Sequence, residues 1–336
     1  MWKLLRAAAP IAAVALASCA SDPDRTNPRI HKLNRDYGLL LPDKAEAEPG
    51  AWFVFAYFTE PEPELRLALS SDGYEFRPLL GGRPVLNAGR LWLRDPCVAL
   101  GPDGLFHAVW TGGNTSQIGY ATSPDLLTWS APRALDVMQA MPGSQACWAP
   151  EIVWDEARAE WMILWSSEVA GRFAETDQMA GANHRVYFTT TQDFRTLAAP
   201  QLLLDPGYPV IDATLLYEGG SWLLFFKDER DAPAKKQVRM TSGPTPRGPW
   251  GPISAGLTVR RVEAPTAAKV GAAVLVYFDE YRDHKYGAIQ SRDLQTWRDV
   301  SRLISLPEGA RHGTVLRIPD DVAQGLLRAD EAARKN

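Results

Sequence analysis

The sequence predicts an all-β fold, a five-bladed β-propeller, on three observations: a recurring hydrophobic run, a turn signature that follows it, and five segments that each open a strand with a polar group. The runs lie at residues 52–58, 106–110, 161–165, 222–226 and 273–278. They are short, aromatic and β-branched, and are bounded by Gly, Asp and Pro, as strands are. No helical pattern of comparable strength lies between them. The signature is a hydroxyl residue followed by Asp, an apolar residue and often Trp: Ser71-Asp72-Gly73-Tyr74, Ser123-Pro124-Asp125-Leu126 with Trp129, Thr191-Gln192-Asp193-Phe194, and Ser291-Arg292-Asp293-Leu294 with Trp297. A degenerate copy from Ser242 to Trp250 fills the gap between the last two. Repeats of roughly fifty to seventy residues with several strands each read as propeller blades.

The order of elements says how the ring shuts. The strand-opening segments are Arg94-Asp95-Pro96, Trp148-Ala149-Pro150-Glu151, Ile211-Asp212-Ala213-Thr214, Glu263-Ala264-Pro265 and Arg311-His312-Gly313-Thr314. The domain opens at Ala51 without such a segment of its own, so the C-terminal strand at Arg311 supplies it and pairs with the N-terminal blade strands. That pairing removes an exposed sheet edge. A two-sheet sandwich, the competing architecture, does not demand five equivalent segments.

Outside the propeller, expected over 50–318, the chain divides into short pieces. Lys3 and Arg6 followed by the apolar stretch 7–15 read as a signal peptide over 1–18, too short to span a bilayer. Leu16-Ala17-Ser18-Cys19 has the small-residue pattern ending in Cys of a bacterial lipobox, which makes Cys19 the expected lipidation site. Acyl chains there would anchor an exported protein to the cell envelope, and Ala20 after Cys19 favours the Gram-negative outer membrane. Residues 19–49 are rich in Pro, Asp and Asn and suit a tether, and 319–336 form a polar C-terminal tail. Cys97 and Cys147 then remain, either paired or as two buried thiols.

Composition narrows the function. A net charge of −4 gives no basic field for phosphate backbones, so nucleic acid is not an expected partner. Twelve Trp and ten Tyr suit stacking on a neutral ligand as well as filling a β core. No Gly-rich phosphate loop, Cys-x-x-Cys pair or Gly-x-Ser-x-Gly elbow occurs, which disfavours nucleotide, zinc and serine-hydrolase chemistry. The innermost strands of a propeller line its channel, so Asp95, Glu151, Asp212, Glu263 and His312 converge on one funnel. Five ionisable groups brought together from distant parts of a chain are costly to pack unless they act.

These five segments, in this order, resemble glycoside hydrolase family 43: an Asp-Pro, a Trp-Ala-Pro-acid, an Ile-Asp, a Glu-Ala-Pro and a His-Gly. The resemblance covers about residues 51–318 and departs from the common pattern at Arg94 and Glu151. It implies an inverting O-glycoside hydrolase with Asp95 as general base, Glu263 as general acid and Asp212 orienting that acid and tuning its pKa. It implies α-L-arabinofuranosides or β-D-xylosides as substrates, with galactofuranosides or galactans also open. It places His312 at the channel centre beside a water or a structural Ca²⁺, with no cofactor required. Inversion itself needs a base on one face of the sugar and a protonated acid on the other, with room for a water between. Asp212, on the blade next to Glu263, is placed to disfavour its ionisation.

Trp148 is a candidate stacking wall, and Glu151 and Arg311 are candidate donors or acceptors for substrate hydroxyls. Lys227, Asp228 and Glu229 either reach the cleft or form a solvated edge. His107 and His184 lack partners at metal-ligand spacing and read as structural. Two alternatives stay open: a retaining invertase-type enzyme, suggested by Arg-Asp-Pro, and a carbohydrate-binding propeller without catalysis. A monomer is expected.

Overall fold

The structure is a computed structural model that describes residues 44–113 and 115–335. The expected signal peptide, Cys19 and most of the expected tether lie outside the described residues. Among the described residues no helix is long and apolar enough to cross a membrane.

The first strands are β1 (Trp52–Phe58), β2 (Arg66–Ser70) and β3 (Arg77–Pro78). Blade I follows as β4 (Arg94–Leu100), β5 (Phe106–Thr111), β6 (Ile118–Ser123) and β7 (Arg133–Leu135). Blade II is β8 (Trp148–Asp155), β9 (Glu160–Ser167), β10 (Arg185–Thr191) and β11 (Gln201–Leu204). Blade III has β12 (Val210–Glu218), β13 (Ser221–Asp228) and β14 (Gln237–Gly243). Blade IV is β15 (Glu263–Val270), β16 (Ala273–Glu280), β17 (Lys285–Ser291) and β18 (Arg298–Asp299). Last comes β19 (Arg311–Ile318), which pairs with β1 so that blade V reads β19-β1-β2-β3. The innermost strands touch in ring order, β4 to β8 to β12 to β15 to β19 and back to β4. The five-bladed ring and its closure by the C-terminal strand are as the repeats predict.

Each gap between blades is filled by its own apolar cluster. Phe55 and Tyr57 meet Leu275 and Tyr277 between blades V and IV. Val98 and Trp110 meet Val54 and Leu67 between I and V, and Val109 meets Ile163 and Trp165 between I and II. Leu164 meets Leu215 and Leu224 between II and III, and Phe225 meets Val276 and Phe278 between III and IV. Alternation along a strand sends successive side chains to opposite neighbours, so runs that are apolar at every position bury both faces.

The Asp signature is a turn device. In four blades a hydroxyl two residues before the Asp and the Asp carboxylate together accept the N–H groups of the next residues: Ser70 with Asp72, Ser123 with Asp125, Thr191 with Asp193 and Ser291 with Asp293. Such bonds hold the carboxyls of Asp193 and Asp293 below the ordinary range. The degenerate copy in blade III lacks the Asp, and its sheet has three strands. There Ser254 and Leu257 donate N–H bonds back to the carbonyls of Met240 and Val238 in place of a fourth strand.

The segment 319–336, read from its composition as a polar tail, holds a helix, α1 (Asp320–Lys335). Its Val322, Ala323, Leu326 and Leu327 form one apolar face against the cluster between blades V and I. Leu80 N–H donates to Asp330 at 2.7 Å and Trp52 Nε1 to Asp320 at 2.9 Å. Cys97 and Cys147 are both free and buried.

One buried cation carries a stability prediction. Arg185, with no exposed side-chain surface, donates to Asp205 (2.6 Å), Asn183 (2.9 Å) and Thr176 (2.8 Å) and lies 4.3 Å over the Phe173 ring. Arg185→Met strips all of these partners at once and is expected to cost about 3 kcal/mol of unfolding free energy in urea titration. A loss below about 1 kcal/mol would show that the cluster is not a stabilising unit.

Candidate active site

The five innermost strands share one local distortion. In each, two residues stand opposite one on the second strand: Asp95-Pro96, Ala149-Pro150, Asp212-Ala213, Ala264-Pro265 and His312-Gly313. The first residue of the pair is left-handed in four of them, with φ of 48° at Asp95, 45° at Ala149, 54° at Asp212 and 56° at Ala264. Strain of this kind concentrates at functional sites. In β19 the second residue must be glycine, because a Cβ on Gly313 would meet the Ala56 carbonyl oxygen at 2.1 Å.

The bulge also sorts the polar residues by depth. Asp95, Asp212 and His312 occupy the bulge itself. Glu263 and Arg311 stand one residue before it, at the mouth. Glu151 stands just after it and is buried deeper in the channel, where its Oε2 accepts the Thr214 hydroxyl at 2.9 Å.

A second pattern links blade to blade. The residue of each second strand paired with the mouth position reaches to the opening segment of the next blade. Thr111 bonds Asp95 Oδ2 at 2.8 Å and accepts the Ala149 N–H at 2.8 Å. Ser166 accepts the Asp212 N–H at 3.1 Å, and Lys227 reaches Glu263 Oε2 at 3.1 Å. Asp279 holds Arg311 Nε at 2.7 Å, and Phe58 lies under the Arg94 guanidinium at 5.3 Å. Each opening segment is therefore positioned by its neighbour.

The sequence-predicted residues come together on β19. The consecutive residues Arg311 and His312 face opposite ways along the ring: Arg311 Nη2 lies 3.2 Å from Glu263 Oε1, and His312 Nδ1 lies 3.6 Å from Asp95 Oδ1. Asp212 Oδ2 accepts the N–H of Ala264, beside Glu263, at 3.0 Å. Trp148 is half-buried and stacks on His184, with centroids 4.4 Å apart. His184 is buried, and burial lowers its pKa to about 4.

The electrostatics differ from the expectation at Glu263. Burial raises the Asp212 carboxyl to about 6, with Glu263 adding to the effect against His312 and Lys227. Burial likewise raises Glu151 to about 7. Burial acts in the same direction on Glu263, but Lys227, His312 and Arg311 outweigh it and hold that carboxyl below its ordinary range. In the site without substrate, the proton of the Asp212–Glu263 pair thus favours Asp212. The cause is Lys227, which is no solvated edge: it is 3% exposed, lies 2.9 Å from Glu229 Oε2 and is kept charged by Glu263, Asp212 and Glu229 despite burial.

Asp279, unlike Lys227, is not among the sequence-predicted candidates. It is fully buried and pairs in register with Glu263. The signal for both residues was present: a charged residue closing a run of buried aromatics, Phe225-Phe226-Lys227 and Tyr277-Phe278-Asp279. Among the described residues no group of three or more His, Cys, Asp or Glu side chains is disposed to hold a metal ion.

Comparison with known proteins bears on this arrangement. A family model described as a probable glycosyl hydrolase domain, related to family 43, matches residues 48–322. An α-L-arabinofuranosidase of Bifidobacterium longum is 24% identical over 189 residues, covering 49% of this chain and 18% of that protein. The chain thus spans less than a fifth of the curated relative it matches. Among solved structures, a thermostable family-43 glycoside hydrolase superposes with a TM-score of 0.51 at 14% identity, over 68% of this chain and 80% of that one. An α-L-arabinofuranosidase from Lactobacillus brevis gives 0.50 at 15% identity, over 62% and 72%. At these identities the superpositions establish the propeller fold alone.

Proposed function

The chain belongs to this family of glycosyl hydrolase domains related to family 43, and from that premise we propose that it hydrolyses a glycosidic bond with inversion at the mouth of its channel. The observation that carries the reading is the pair Arg311 and His312, which tie Glu263 and Asp95 to one short stretch of β19. Asp95, accepting the Thr111 hydroxyl and 17% exposed at its side chain, is the base that takes a proton from water. Glu263, 24% exposed, protonates the leaving oxygen from the other side.

The proton that Glu263 delivers is held by the Asp212–Glu263 pair. A sugar hydroxyl that engages Arg311 draws that cation away from Glu263 and so weakens the hold on its ionised form. That change moves the shared proton toward Glu263. Asp212 is therefore a proton reservoir as well as an orienting group. The acid must be protonated to act, so activity is present below the pair's upper pKa and lost as pH rises through about 6. Lys227→Met removes the main cation holding Glu263 ionised. Its pH–kcat/KM profile is expected to keep activity to higher pH than wild type, and an unmoved alkaline limb would contradict this account of the pair.

For the sugar we propose α-L-arabinofuranosyl, with β-D-xylosyl and galactosyl groups as the competitors. The name of the Bifidobacterium relative supports the first. A panel of nitrophenyl α-L-arabinofuranosides, β-D-xylosides, galactofuranosides and galactopyranosides tests it, and turnover of none of them would overturn the hydrolase reading. The clamp of Lys227 and Arg311 on Glu263 favours a second reading, a sugar-binding propeller without catalysis. Saccharide binding without turnover on the panel would establish that one.

We further propose that Cys19 carries the lipid that fixes the protein to the cell envelope. Cys19→Ala is expected to move the protein from the membrane fraction to the soluble one on ultracentrifugation. Retention in the membrane would contradict the anchor.

A further inference from the structure

Four large hydrophobic side chains are exposed among the described residues: Trp92, Leu100, Leu202 and Tyr217. Leu100 ends β4 and Tyr217 lies one residue from the end of β12, on the side of the ring away from the mouth, while Leu202 is on the outermost strand of blade II. Trp92 alone stands at the mouth end, two residues before Arg94 and three before Asp95. It is 54% exposed.

Its backbone sets it apart from an incidental surface residue. Trp92 has φ 25° and ψ 94°, a conformation in which a bulky side chain is strained. The chain is pinned on both sides of it: the fully buried Trp110 donates its Nε1–H to the Leu91 carbonyl at 2.9 Å, and Leu93 is completely buried. The strain is thus sustained by the surrounding packing, and what it sustains is an indole directed away from the core. Two residues on, the Arg94 guanidinium lies over Phe58, its Nη2 meets Glu60 at 3.4 Å, and its side chain is 43% exposed.

We propose that Trp92 is a stacking platform for a second sugar ring of an oligosaccharide, the ring that projects outward from the one held between Asp95 and Glu263, with Arg94 donating to its hydroxyls. The inference rests on the glycosidase reading of the site. A pyranose or furanose ring presents an apolar C–H face and a rim of hydroxyls, and an exposed indole two residues along the chain from the part-exposed Arg94 guanidinium suits both. Because Trp92 precedes the bulge, it meets sugars outside the cleavage position and leaves the innermost ring untouched.

The experiment is calorimetric binding in the inactive Asp95→Asn background. The probes are 1,5-α-L-arabinotriose against L-arabinose, with 1,4-β-xylotriose against xylose and 1,3-β-galactotriose against galactose as parallel pairs. Trp92→Ala is expected to weaken the triose that binds by about tenfold while changing its monosaccharide less than about twofold, the size of one apolar ring face lost. Trp92→Phe is expected to keep most of the triose affinity. Unchanged triose binding in Trp92→Ala, or equal losses for triose and monosaccharide, would overturn the platform while leaving the hydrolase reading intact. Binding of no probe by Asp95→Asn would overturn the glycosidase reading and the platform with it.

Discussion

Glu263→Gln is expected to lower kcat about a thousandfold on an oligosaccharide and far less on a dinitrophenyl glycoside. A sugar leaving group needs a proton at the moment its bond breaks, whereas dinitrophenolate departs without one. The difference between the two substrates therefore reads the proton-donor role directly, and steady-state kinetics on both measures it. Equal losses would mean that Glu263 acts through binding or through the ion pairs with Lys227 and Arg311. The fold should survive, because Gln keeps the shape of the side chain. The substitution does leave Lys227 with Glu229 as its nearest carboxylate, so a modest drop in thermal midpoint is expected alongside.

Asp95→Asn is expected to cost a comparable factor, about 10³ to 10⁴ in kcat, and to cost it on both substrates alike. An amide cannot take the proton from the attacking water, and that step is common to every leaving group. Asn retains the acceptor that Thr111 bonds, and it tolerates the left-handed φ of 48° that this bulge imposes. Circular dichroism and the thermal midpoint should therefore match wild type. Residual activity above about one part in ten would contradict the assignment of Asp95 as base. The two variants together separate the roles, since only the acid variant depends on the leaving group.

The ring was legible because a propeller repeats its instructions. Five hydrophobic runs and five opening segments recur in one order, and the absence of a segment before Ala51 required the strand at Arg311 to close the ring. The candidate acids were legible for the same reason, each standing beside Pro, Ala or Gly in an opening segment. Their depth was harder to read. Asp95 and Glu151 look equivalent in sequence, yet the bulge puts one in the distorted pair and the other beyond it, because a two-against-one register moves every later residue by a step.

The electrostatic partners were less legible still. Lys227 and Asp279 lie on second strands, far in sequence from Glu263 and Arg311, and only the handover between blades brings them into contact. Lys227 looked like part of a charge run, and burial alone distinguishes it from a solvated edge. The helix over Asp320–Lys335 was hidden by a charged composition with only a narrow apolar face, which gains meaning from the groove it fills between blades V and I. Propensity of that kind is decided by packing.

The central claim is that two carboxyls on either side of Arg311 and His312 act on opposite faces of one sugar. Proton NMR of the first product, recorded within minutes of adding enzyme to a nitrophenyl glycoside turned over by wild type, tests it most directly. The account predicts that the anomeric signal appears first in the configuration opposite to the substrate and equilibrates afterwards. A first product with the substrate's own configuration would contradict it, and would place a covalent sugar–enzyme intermediate where a water is expected.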